Sequence, residues 1–109
     1  MARQVFGVTA LTVQDLILID EWTGEFIDWI ERTEEPGREI KVECSKRGTF
    51  IDGVQYPVML EIEGEKREDA AELICKRAVR HFKPRLLLKA ESCPEGWAFY
   101  KVTLQWALA

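Results

Sequence analysis

The chain has a single histidine, no closely spaced cysteine pair and no long apolar run, and each absence excludes a class of function. His81 stands alone, and Cys44, Cys75 and Cys93 are far apart, so a tetrahedral zinc site lacks ligands. Three is also an odd number, and the spacing fits no disulfide framework; the thiols read as reduced, in a reducing compartment, with the cytoplasm as the expected location. The longest apolar run, Leu16 to Ile19, lies between Asp15 and Asp20 and is far short of the roughly 18 residues a membrane helix needs, so no membrane partner is expected. The opening segment, with one charge and little apolar length, does not read as a secretory signal. No glycine-rich phosphate loop occurs, and no cofactor or metal is expected.

Excess positive charge is missing too. The formal net charge of −4 argues against wholesale attraction to nucleic acid or anionic lipid. The distribution is uneven, however. Residues 15 to 35 hold eight acids against the one base Arg32, whereas residues 76 to 89 hold six bases and no acid.

What remains is an ordinary globular composition, 47% apolar and 31% charged, with enough length for one domain over residues 1–109. Residues 3 to 10 suit a short first strand that Gly7 weakens. Thr12 is an N-cap candidate with Asp15 three residues on. From there Leu16, Ile19, Trp22, Phe26 and Trp29 recur at helical spacing, so they form the expected core face. Gly24 interrupts that run, and one helix, two helices re-capped at Thr23, or a strand followed by a helix all fit residues 12–34.

Alternating Ile40, Val42 and Cys44 mark a half-buried strand, and Asp52-Gly53 signals a tight hairpin that sets Ile51 opposite Val54. The apolar parities of the flanking segments disagree by one residue, which places a bulge or small loop at Lys46 to Gly48. Residues 66 to 82 form the clearest helix, with Ala71, Ile74, Cys75, Ala78 and Phe82 on one face. A second hairpin, residues 85–91 and 97–109, closes the chain. The resulting order β-α-β-β-α-β-β implies an α+β two-layer sandwich, ferredoxin-like and mainly antiparallel.

Several groups invite a functional reading. Lys76, Arg77, Arg80, Lys83 and Arg85 form a basic set suited to an anion or nucleic acid, although late cations also suit the helix dipole. Leu73 projects onto the same stripe, an apolar residue among cations. The stretch Lys46 to Asp52 is similar in outline to the RNP1 segment of RNA-recognition modules, but only Phe50 could stack a base, and Thr49 is misplaced for that role. Glu21, Glu25 and Asp28 offer carboxylates on one helix face without a phosphate loop to accompany them. A Cys93–His81 nucleophile and base pair is the sole covalent candidate, and no catalytic residue is assigned.

Aromatics point elsewhere. In the last strand Tyr100, Val102, Leu104, Trp106 and Leu108 share one side, while Trp97, Phe99, Lys101, Thr103 and Gln105 share the other. Helices cover one face of a two-layer sandwich, so Trp97, Phe99, Lys101, Gln105 and Leu108 are expected to meet another chain. The expectation is therefore a non-enzymatic binding or regulatory protein, adaptor- or inhibitor-like, acting through protein contacts and forming a homodimer. Accessory proteins of viruses and phages are of this general kind. Nucleic-acid or phosphate binding through residues 76–85 is the alternative.

Overall fold

The computed structural model describes residues 11–45, 47–56, 62, 64–93 and 100–108. Within them the order is α1 (Val13–Glu31), β1 (Glu39–Ser45), β2 (Gly48–Ile51), β3 (Val54–Gln55), α2 (Glu65–Phe82), β4 (Leu86–Ser92) and β5 (Tyr100–Trp106). The strands form one antiparallel sheet in the order β3-β2-β1-β5-β4.

This is an α+β fold, but the ferredoxin-like arrangement is not what forms. A helix followed by a hairpin occurs twice, as α1-β1-β2 and α2-β4-β5, and β5 docks against β1. Both β1 and β4 are antiparallel to β5 and so run in the same direction. The two helix–hairpin units therefore succeed one another instead of interlocking. The strand expected over residues 3–10 lies outside the described residues.

Local chemistry explains the elements. Thr12 caps α1: its hydroxyl accepts from the Asp15 N–H (3.1 Å), and the Asp15 carboxylate accepts from the Thr12 N–H (2.8 Å). The helix then continues unbroken through Gly24, one element instead of two. Thr23 does not re-cap it; its buried hydroxyl donates to the Ile19 carbonyl one turn back (2.6 Å). The buried face is Ile19, Trp22, Thr23, Phe26 and Ile30. Leu16 is displaced from it and 39% exposed, and Trp29 is only half-buried, its ring edge-on to Tyr56.

The parity conflict around Lys46 to Gly48 has a simple resolution. The chain reverses there, pairing Ser45 with Gly48 and Val42 with Ile51. The two apolar sets belong to neighbouring strands, not to one bulged strand. At the next turn Asp52 and Gly53 both take positive φ (53° and 81°), and Ile51 does face Val54. Asp52 tolerates this because its carboxylate accepts from the Lys41 N–H (2.9 Å) and meets Arg38 (3.3 Å).

Both helices lie over one sheet face. Ala70, Ala71, Ile74, Cys75, Ala78 and Phe82 of α2 meet Ile40, Val42, Cys44, Tyr100, Val102, Leu104 and Trp106 in one core cluster. Asp15–Lys66 and Asp20–Arg77 ion pairs tie α1 to α2. Trp106 joins three elements: its ring packs edge-on to Phe82 (5.0 Å), and its indole N–H donates to Thr33 Oγ1 (3.0 Å) just past α1. Among the described residues, no helix is long and apolar enough to cross a membrane.

Candidate interaction surface

The sheet face away from the helices carries alternating charge where the strand pleat turns outward. Glu43 lies opposite Lys101 (3.5 Å), and Glu39 reaches Lys89 across β5. Arg38 meets Asp52 at the β2 end of this face. Small residues Ala90, Ser92 and Thr103 leave a shallow depression of about 300 Å³, bordered by Lys41, Glu43 and Lys101. The described part of this face thus carries a ladder of ion pairs, with Leu87 exposed beside it opposite Gln105.

Of the expected contact residues, Trp97 and Phe99 lie outside the described residues. Lys101 is on the open face, paired as above. Gln105, half-buried, donates from Nε2 to the Gly37 carbonyl (3.2 Å). Leu108 is 76% exposed at the end of the sheet, with its methyl group over Gly37. That close approach accounts for the glycine: at φ +79° a Cβ on Gly37 would fall 2.8 Å from Leu108 Cδ2.

The basic set is scattered by folding. Lys76 pairs with Glu72 (2.7 Å) and Glu91 (3.7 Å), Arg77 with Asp20 (2.5 Å), and Arg85 with Glu34 (3.0 Å) while lying over the Phe82 ring. Arg80 and Lys83 are exposed and make no ion pair among the described residues. Leu73, expected among these cations, instead packs half-buried against the core.

Other candidates fare similarly. Thr49 is buried, its hydroxyl directed at Cys44 Sγ (3.7 Å), and half-buried Phe50 lies under the Arg47 guanidinium (5.7 Å). Among the described residues, no three His, Cys, Asp or Glu side chains are placed to hold a metal ion, including Glu21, Glu25 and Asp28. His81 sits at the end of α2, edge-on to Phe82, near the start of β4, whereas Cys93 follows the far end of β4. The Lys76–Glu91 pair fixes that direction, so the length of the strand separates thiol from imidazole.

The structure adds residues that the sequence reading did not select. β4 is a terminal strand of the sheet, and six of its seven residues are exposed. Leu87 (49%) and Leu88 (38%) are exposed there, at the same end of the sheet as Leu108. The signal was present in three consecutive leucines, which cannot all face one core in a strand. The missing information was that, among the described residues, this strand ends the sheet with β5 as its one neighbour. No family model, curated protein or solved structure matches the chain.

Proposed function

We propose that the chain is a non-enzymatic binding protein that acts through protein–protein contact and self-association, with the contact at the β4 side and C-terminal end of its sheet. The observation that carries this reading is the gathering of Leu87, Leu88 and Leu108, all exposed, at one end of a terminal strand pair. Gln105 of the open face, opposite Leu87 on β5, adjoins it and supplies a polar rim, while Lys101 lies opposite Ser92 toward the other end of the strand pair. Binding of nucleic acid or phosphate is less well supported, because acidic neighbours occupy Lys76, Arg77 and Arg85.

Sedimentation velocity at micromolar concentration tests the reading. The wild-type chain is expected to sediment as a dimer, and Leu87→Asp, Leu108→Asp or Trp97→Asp to shift it to monomer with an unchanged far-UV spectrum. A strictly monomeric wild type overturns the proposal. Truncation of residues 105–109 is unsuitable for this purpose, since it removes the buried Trp106 and tests folding instead.

A further inference from the structure

We infer that the outer ridge of α1 is a docking seat for a basic amphipathic helix of another protein, which crosses α1 at Gly24. This contact is separate from the self-contact on the β4 side and does not depend on it. Val13, Ile17, Glu21, Gly24, Asp28 and Glu31 follow one another at intervals of three or four residues, so they line one side of the helix. All are exposed, on the side turned away from the buried Ile19, Trp22, Phe26 and Ile30.

Nothing within the fold explains this ridge, and local helix physics opposes it. Glycine in a helix interior is less favourable than alanine. At Gly24 the backbone is ordinary helix, and among the described residues a Cβ would meet no heavy atom within 4 Å. Glu21, Glu25, Asp28 and Glu31 are like charges three or four residues apart, which repel along a helix. Asp28 and Glu31 also lie in the last turn, where the dipole disfavours anions and α1 has no base. Acids on the α2 side of the same helix are matched, Asp15 by Lys66 and Asp20 by Arg77. The four outer acids make no ion pair among the described residues, and neither does Arg32 at the C-cap.

A cationic helix laid across the ridge answers each of these features. Its bases meet the unmatched carboxylates. The missing Cβ at Gly24 lets the two backbones come close where the helices cross. Val13 and Ile17, 76% and 48% exposed, receive apolar residues from one end of the partner. A second copy of the chain fits poorly, because Arg80 and Lys83 are the cations left over from its basic segment among the described residues.

Fluorescence anisotropy tests the seat with a labelled synthetic helix of α1's length, leucine and alanine along one face and lysine and arginine beside it. The full chain is expected to bind this probe at micromolar concentration. A probe with glutamate in place of the bases should bind at least about tenfold more weakly, as should the basic probe to Asp28→Lys or Gly24→Leu. Gly24→Ala separates contact from structure: it should raise Tm while weakening binding, a split that a purely structural glycine does not give. Absence of binding, equal binding of the two probes, full binding by Gly24→Leu, or a lower Tm for Gly24→Ala overturns the proposal. Loss of self-association by Gly24→Leu in sedimentation overturns it as well, by giving the ridge to a second copy. A monomeric wild type that binds the basic probe removes the self-contact alone.

Discussion

At the scale of single residues, burial decides what the reactive side chains can do. The Cys44 thiol is pushed above its ordinary value by burial, and Cys75 more strongly, by burial, then by the neighbouring Cys44 and by Glu91 and Glu72. Thiolate, not thiol, is the reactive form. Ellman's reagent should therefore modify one thiol per native chain, the half-buried Cys93, and all three after unfolding. Two or more fast-reacting thiols in the native protein would contradict this packing. Both tyrosines follow the same logic: burial, then the nearby charges of Glu25 and Asp28, raise Tyr56 to about 12, and burial first of all raises Tyr100. The fold favours the neutral phenol, so this contribution to stability is intact below the unfolded value near 10 and is lost as pH climbs through the folded one. Cysteine count and tyrosine identity were legible in the sequence. Which thiol stays accessible was legible too, since Cys93 lies outside the apolar rows that hold Cys44 and Cys75.

At the scale of elements, the start of α1 couples folding to acid. The Asp15 carboxyl is held below its usual value, chiefly by the backbone N–H of Thr12, with the Thr12 hydroxyl and the Lys66 ammonium adding to the effect. A carboxylate with a depressed folded value stabilises the fold above its unfolded value, near 4, and that contribution disappears as pH falls through the folded one. Thermal melts between pH 6 and 2 should accordingly show a smaller loss of Tm for Asp15→Asn than for wild type, with the variant less stable at pH 6. Equal slopes would remove Asp15 from the account. The capping pair was readable from Thr12 and Asp15 alone, because both partners lie within one turn. Continuity of the helix across Gly24 was not, since it depends on Trp22 and Phe26 packing on the core from either side of the glycine. The β1–β2 reversal was located at Lys46 to Gly48, but its character, bulge or small loop, stayed open for a related reason. Parity says that two apolar sets disagree, and only pairing says whether they belong to one strand or two.

Across the whole molecule, charge is sorted in a way that composition hints at and folding modifies. The outer acids Glu21, Glu25, Asp28 and Glu31 of α1 are exposed and make no ion pair among the described residues. Most of the basic segment is spent on intramolecular pairs. With Arg80 and Lys83 the cations left over from that set, the salt dependence of any nucleic-acid binding should have a slope near −1.8, at about 0.9 per phosphate neutralised. Filter-binding titrations with duplex DNA and single-stranded RNA across a salt series measure it directly. A slope of about −4 or steeper, abolished by Arg80→Glu with Lys83→Glu, would restore nucleic acid as the ligand.

Sequence by itself determined the class of fold, the long second helix with its buried face, the Asp52–Gly53 turn and the inward row of the last strand. Each of these is carried by neighbours along the chain, where the spacing of apolar residues and turn chemistry act directly. The tertiary structure alone decided the strand order, the pairing of Arg77 and Arg85 with acids from elsewhere in the chain, and the position of β4 at the end of the sheet among the described residues. Those are matters of which segments meet. Local periodicity is blind to them, and they fix where leucine side chains are left facing water.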